Sequence, residues 1–332
     1  MILDNIMNTI TISMISYNDE KILEDCLQSV RNQDYNQDLV DILLVDGGST
    51  DKTKEIATQY SAKMIERPDL KEQPFIRGGI AFTEPKTDFL VFFSADNRFQ
   101  ETDILTKMVN IMCGEQEIVG IGTQRYGIRK GDPILSRYFA LIGGNDPIAI
   151  SLGKADRGPY DKDDWHTYGE AKYLDDHILV SFEKDISKIP TLGANGFMLR
   201  TKYIKKSSYF KNALHIDACA DLILQGNQKF AFLKNRHVVH YMSTGIKTLV
   251  KRRMHWASVF SKSKLPRLYS VYSEKDLFSL IKLTLGYLTI LPSFLRALKG
   301  YIKYKDKAWF LHPVIGFIFV VTYGINVLKQ KF

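Results

Sequence analysis

The sequence predicts an α/β fold: a mostly parallel sheet flanked by helices, followed by a C-terminal pair of hydrophobic helical segments. Two observations predict the sheet. Strand-like runs alternate with helix-like runs from residue 9 onward, and three of the strand-like runs end in clusters of polar residues. A third predicts the C-terminal pair: two stretches of nearly unbroken apolar residues close the chain, inside a strongly basic flank.

The run "TITISMIS" (9–16) is a strand by its β-branched content. The next stretch, "DEKILEDCLQSVRNQ", places Ile22, Leu23, Cys26, Leu27 and Val30 on one helical face. "VDILLV" (40–45) is nearly all apolar, as a parallel strand covered on both faces must be. A helix capped by Ser49 or Thr50 follows, and then "DFLVFFS" (88–94). Strand–helix–strand units with right-handed crossovers build a Rossmann-like sheet, and ligands bind at the carboxyl ends of its strands. Those ends read "SYND", "DGGSTD" and "SADN". Asp46 is suited to accept hydrogen bonds from a nucleobase or ribose, with Gly47 and Gly48 leaving room for backbone to approach a ligand. Asp96 is a hard oxygen donor suited to Mg2+ or Mn2+ on a diphosphate.

The chain has 332 residues with 45% hydrophobic content, enough for a sizeable core. Cys26, Cys113 and Cys219 share no CxxC spacing and read as reduced, packed thiols in a cytosol-facing domain. No leader-like segment opens the chain, and no cleaved signal is expected. Charge is uneven. From Lys247 onward there are 16 Lys/Arg and 3 Asp/Glu, about +13, which leaves about −5 for residues 1–246. The apolar stretches are 277–295 and 308–328, each near the ~20 residues that cross a bilayer. They make a membrane, and not nucleic acid, the expected partner of the basic flank. Two spans with a cytoplasmic catalytic part are expected. The loop 296–307 then lies outside with four more basic than acidic residues, against the positive-inside bias. A first segment lying in the interface removes that conflict.

The stretches "ISYNDEKILEDCLQSVRNQ", "ILLVDGGSTDKTKEIA" and "IRGGIAFTEPKTDFLVFFSADN" resemble the family 2 glycosyltransferases of the A-type fold. "TLGANGFMLR" is similar to their acceptor loop, and "HIDACADLILQGNQKFAFLKNRHVVHY" to their base-bearing segment. The resemblance covers roughly residues 8–260. It implies inverting transfer of a sugar from a nucleotide sugar with the help of Mg2+ or Mn2+, to a lipid-linked acceptor such as a polyprenyl or dolichyl phosphate or a lipid-linked saccharide. Carried over by position, it puts Ser16, Tyr17, Asn18, Glu20, Asp46 and Gly48 around base and ribose, and Arg77 near the diphosphate. Ser94, Ala95 and Asp96 form the metal loop, where Ser94 stands in place of the usual first acid. His240 is the second metal-side ligand. Asp217 is the general base, with Asp221 as the competing assignment. Gly193, Ala194 and Asn195 face the acceptor, as do Arg252, Arg253, His255 and Trp256, with His255 in place of the usual second arginine.

The expected organisation is a catalytic domain over 1–246, with a nucleotide-binding half to about 100 and an acceptor half over 101–246. A basic interfacial helix (247–275) and membrane-associated helices (276–332) follow. Residues 153–190 read as an acceptor-side insertion, with Trp165 and His166 in a solvated loop. Two alternatives stay open: a catalytically silent membrane scaffold that keeps the fold, and a sugar nucleotidyltransferase. The latter wants a glycine-rich, basic loop after the first strand, which "SYNDEK" does not supply.

Overall fold

The computed structural model describes residues 8–242, 245–263 and 265–331, the side chains of 255–263 and 325–331 excepted. Its strands are β1 (Ile10–Ser16), β2 (Val40–Asp46), β3 (Lys63–Glu66), β4 (Phe89–Phe92), β5 (Asn97–Phe99), β6 (Gly120–Tyr126), β7 (Glu170–Tyr173), β8 (His177–Ser181), β9 (Phe197–Arg200) and β10 (Lys229–His240). Its helices are α1 (Leu23–Arg31), α2 (Thr53–Gln59), α3 (Pro74–Thr83), α4 (Ile104–Gly114), α5 (Ile134–Ile142), α6 (Pro147–Ser151), α7 (Thr201–Ile204), α8 (His215–Leu224), α9 (Ile246–Ser263), α10 (Leu277–Leu288), α11 (Leu291–Lys303) and α12 (His312–Lys331).

The chain divides into two units. The first holds the described residues up to Gln124, with Gly169–Ile186 and Leu192–Val239. Its sheet runs β3-β2-β1-β4-β9-β6-β10-β8-β7, with β5 paired to β10. β1, β2, β3 and β4 are mutually parallel, with Ser16 opposite Asp46. Strand order reverses between β1 and β4, the point at which open α/β sheets leave a crevice at their carboxyl ends. The sheet is mixed: β9 runs antiparallel to both β4 and β6, and β8 to β10. The expected face of α1 is the buried one, with Leu23, Cys26, Leu27 and Val30 all in the core. Burying each large side chain there contributes about 1.5–3 kcal/mol.

The pair Gly78–Gly79 in α3 has a steric purpose. A Cβ on Gly79 would lie 1.8 Å from the Lys211 carbonyl oxygen, and one on Gly78 would lie 2.5 Å from the Ala213 Cβ. This close approach seats the segment that leads into α8. Gly79→Ala is therefore expected to destabilise the protein by about 3 kcal/mol, the upper range for overpacking, as read by urea unfolding. A change below about 0.5 kcal/mol contradicts the packing argument.

The second unit holds Arg125–Tyr168, Ser187–Thr191 and the described residues from His240 on. Segment 125–168, which the sequence places in the acceptor half, thus packs with the C-terminal helices. Tyr138, Phe139, Leu249, Trp309, Ile315 and Phe319 share one core there. The segment read as an acceptor-side insertion is partly interior, and the loop expected to be solvated at Trp165 and His166 is not. Lys154 and Arg157 are both 0% exposed. Trp165 is buried and donates to the Tyr168 carbonyl at 3.0 Å. Neither ring nitrogen of His166 has a hydrogen-bond partner. The lone charges are avoided by pairing, Lys154 with Asp276 at 3.2 Å and Arg157 with Asp156 at 2.5 Å.

The first apolar stretch is not one straight helix. It breaks at Ile290, whose φ is +64°, and α11 resumes with Pro292 in its first turn. The axes before and after the break differ by 82°. The stretch Lys307–Gly324 is the one described helical run long and apolar enough to cross a membrane unbroken.

Candidate active site

Within the first unit, the turns after β1 and β2 are stitched together. The Asn18 amide donates to the Ser49 hydroxyl at 2.9 Å, and the Thr50 amide to the Asn18 side chain at 2.9 Å. The Asp19 amide donates to Thr53 Oγ1 at 2.8 Å, and the Glu20 amide to Asp51 at 3.2 Å. Glu20 in turn accepts from the Lys52 amide at 3.2 Å. Asn18 sits at φ +54°, a conformation that Asn tolerates better than most residues. Tyr17 is covered by the Lys71 ammonium 4.9 Å from its ring centroid.

Asp46 is 0% exposed and organises its own turn. It accepts from the hydroxyls of Ser16 (2.9 Å) and Ser49 (2.5 Å) and from the amides of Gly48 (2.8 Å) and Ser49 (2.7 Å). Four donors fill the capacity of a carboxylate. Burial pushes the acid's pKa up, but these hydrogen bonds together outweigh it and hold Asp46 below the usual carboxylate range. The sequence leaves the helix cap to Ser49 or Thr50; in the structure α2 starts after Lys52 without a side-chain cap, and Asp46 binds the Ser49 hydroxyl and the amides of Gly48 and Ser49.

Arg77 is also turned inward. It is 4% exposed and donates to the Ser16 carbonyl at 2.6 Å and the Lys71 carbonyl at 3.3 Å, while Nε is buried without a partner. A Cβ on Gly47 would lie 2.7 Å from one of its guanidinium nitrogens. Burial lowers its pKa, against the pull of Asp46 and Asp19. Arg77 thus braces the β1 and β2 turns from beneath.

After β4, the Ser94 amide donates to Asn97 at 3.2 Å, and Asn97 lies 3.5 Å from an Asp96 oxygen. The side chain of Ala95 belongs to the core, so only its backbone is available to a ligand, a correction to its place among the contact residues. Beyond this loop, Phe92 stands 5.7 Å from the His215 ring at the start of α8. Asp217 lies in the first turn of α8 and is 1% exposed. Gly193 packs onto the same helix, against Cys219 and His215. Gly193, the start of α8 and the end of β4 therefore meet at His215.

The residue that sequence reasoning passed over is Asp19. Its pKa is raised to about 6, mainly by burial; the Tyr17 amide opposes this, and the charges of Asp96, Asp51 and Asp46 add to it. One carboxyl thus feels the acids of all three strand ends. The available signal was four acids within two short turns, Asp19 and Glu20 after β1 and Asp46 and Asp51 after β2. A raised acid pKa carries a defined sign. Between pH 4 and 6 the unfolded chain releases this proton before the folded one does, so stability falls as pH rises and the loss is complete above about 6. Two units correspond to about 3 kcal/mol. Asp19→Asn is expected to remove that loss, so that in metal-free buffer the variant gains on the wild type from pH 4 to 7 by up to about 3 kcal/mol. A difference that stays flat across this range contradicts the crowding.

In the second unit, His240 ends β10, with its ring 5.9 Å from that of Tyr126. Arg252 is exposed and donates to the Met242 carbonyl at 2.6 Å. Arg253 lies 3.7 Å from Asp146 and 4.5 Å over the Phe319 ring. The side chains of His255 and Trp256 lie outside the described residues. Among the described residues no group of three or more His, Cys, Asp or Glu is arranged to hold a metal. Carboxylates crowded as Asp19 and Asp96 are nevertheless fit a small hard cation that takes one or two of them and completes its shell with phosphate oxygens.

Comparison with known proteins agrees with this layout. Residues 11–167 match glycosyl transferase family 2. It is 30% identical over 125 residues to the dolichyl N-acetyl-alpha-D-glucosaminyl phosphate 3-beta-D-2,3-diacetamido-2,3-dideoxy-beta-D-glucuronosyltransferase of Methanococcus voltae, covering 35% of this chain and 39% of the relative. It is 25% identical over 139 residues to glycosyltransferase AglJ of Haloferax volcanii, covering 40% and 44% respectively. The chain spans less than half the length of these curated relatives. The mannosyltransferase PcManGT of Pyrobaculum calidifontis, solved with GDP-Man and Mn2+, shares the fold with a TM-score of 0.56. That match has 12% identity and covers 98% of this chain and 88% of the neighbour.

Proposed function

We propose that this protein transfers a sugar, with inversion, from a nucleoside diphosphate donor to a lipid-linked acceptor at the cytoplasmic face of a membrane. The observation that carries the reading is the gathering of Asp46, Asp51 and Asp96 around Asp19 at the sheet's switch point. Of these acids Asp19 is the one whose charged form is disfavoured, by burial and by the neighbouring carboxylates, and a bound cation would relieve that. The glucuronosyltransferase relative has a dolichyl-linked sugar phosphate in its name, and the PcManGT complex holds a nucleotide sugar. Both support the choice of donor and acceptor class.

The turns after β1 and β2 hold the base and ribose, with Tyr17, Asn18 and Gly48 at the surface of the stitched pair. Ser16, Asp46, Glu20 and Arg77 act by fixing those turns, since their polar atoms are engaged within them. Asp96 and Asp19 would hold a divalent cation, which would supply charge stabilisation for the departing diphosphate; the metal-side role of His240 rests on the sequence resemblance alone. Ser94, through its loop, positions Asp96. Asp217 takes the proton from an acceptor hydroxyl as it attacks the anomeric carbon from the face opposite the diphosphate. Gly193, Ala194 and Asn195 shape the floor on which that acceptor rests; the acceptor-side roles of Arg252, Arg253, His255 and Trp256 rest on the sequence resemblance alone.

Incubating the purified full chain with a panel of UDP- and GDP-sugars, Mn2+ or Mg2+ and polyprenyl phosphate or lipid-linked saccharide acceptors tests this. A lipid product heavier by one sugar residue is expected by mass spectrometry. Tight nucleotide-sugar binding without transfer or hydrolysis across the whole panel would favour the silent scaffold.

A further inference from the structure

We infer that the C-terminal helices of this protein rest in one leaflet of an anionic membrane and do not cross it. The inference builds on the membrane association proposed above and concerns the second unit alone. α10 and α11 have 12 and 13 residues, about 18 and 20 Å of helix, each too short for a ~30 Å hydrocarbon core.

Both ends of this bent pair are tied to the same segment, 125–168. At its start, Asp276 pairs with Lys154 at 3.2 Å, and Tyr272 donates to Asp146 at 3.0 Å. In its middle, Arg296 pairs with Asp161 and also donates to Ser151. At its end, Asp306 pairs with Arg137 at 2.8 Å, and Tyr304 packs edge-on against Tyr160, centroids 4.9 Å apart. A crossing pair needs its end on the far side of the bilayer from its start. One polar segment cannot bond a start, a middle and an end so separated, because lipid leaves unpaired polar groups unsatisfied.

α12 is held in the same way. His312 is bonded to Tyr138 at 2.9 Å, and three turns later Tyr323 donates to Asp146, the residue that also caps α6. One side of this helix is therefore packed into the core of its own unit and tied there by polar bonds at two levels.

The surface left over has the chemistry of a leaflet. Phe278 is 80% exposed, and Ile281, Leu285, Leu291, Phe294 and Ile302 are exposed with it. Lys282 and Lys299 on these helices, and Lys305 and Lys307 just beyond α11, are exposed with them, a composition that suits acyl chains beneath anionic headgroups. This arrangement also keeps the basic segment 296–307, the end of α11 and the turn after it, on the catalytic side and removes its conflict with the positive-inside bias.

The test places single cysteines in the full chain at Lys305 and, as a catalytic-side reference, at Glu55, in a Cys113→Ser background; the thiols of Cys26 and Cys219 are buried. Labelling with a membrane-impermeant maleimide in intact spheroplasts and in inverted vesicles is expected to reach both cysteines from the same side only. Labelling of Lys305→Cys from the side opposite Glu55→Cys overturns the inference. In a second arm, the double variant Phe278→Asp/Leu291→Asp is expected to lose at least ~10-fold in partitioning to phosphatidylglycerol vesicles while far-UV circular dichroism stays unchanged. Unchanged partitioning, or a stable lipid-free dimer of the wild type that ignores vesicles, overturns the docking face. Neither readout uses sugar transfer, so failure of the proposed activity is scored separately.

Discussion

Asp96→Ala is expected to lower kcat/KM for sugar transfer by about 10^3 and to abolish its stimulation by Mn2+. Removing one electrostatic stabiliser of a developing anion costs about 10^2–10^3 in rate, and Asp96 both feeds the acid cluster around Asp19 and offers the loop's carboxylate after Ser94 replaced the usual first acid. The loop itself survives the substitution, because the bonds between Asn97 and Ser94 hold its shape. Melting temperature should therefore stay within a few degrees of the wild type. Transfer that persists at more than half the wild-type rate, still driven by Mn2+, removes Asp96 from the site.

Asp217→Asn carries the second large effect. General base catalysis contributes about 10^2–10^4, so turnover with a hydroxyl acceptor is expected to fall by that factor while the dissociation constant for the nucleotide sugar stays within about twofold. Asparagine keeps the size and polarity of a side chain that is 1% exposed, so the packing of α8 is preserved. Asp221 lies four residues on and is only half-buried. Asp221→Asn should cost less than about fivefold, a change too small for loss of a general base. A fall confined to the Asp221 variant transfers the role to that residue. A rise in acceptor KM alone identifies Asp217 as a positioning group, the outcome expected if the acceptor is a phosphate that needs no base.

The parallel half of the sheet was legible because its signals are local. β1 and β2 are apolar runs, α1 has helical spacing, and each strand ends in a polar cluster that marks the ligand edge. The antiparallel half was not legible. β9 has four residues and β5 three, too few for a period to show, and their pairing with β4 and β10 is set by contacts distant in the chain. The burial of Lys154 and Arg157 could not be read from the sequence, because only their partners Asp276 and Asp156 make the interior tolerable, and Asp276 is far away in sequence. Asp46 and Arg77 were read as ligand-facing, but their inward hydrogen bonding depends on Ser16 lying beside Asp46, a fact of register. Asp19 was missed for the same reason: its importance comes from Asp51 and Asp96, which folding brings near.

The most direct measurement is calorimetric titration of GDP- and UDP-sugars into the full chain, with and without Mn2+, for the wild type, Asp19→Asn and Asp96→Ala. If the strand ends converge on a cation-bridged diphosphate, the wild type binds one donor at least ~10-fold more tightly with Mn2+, and each variant loses that gain. Binding that is equally tight in all three proteins and indifferent to Mn2+ would show that the diphosphate sits elsewhere.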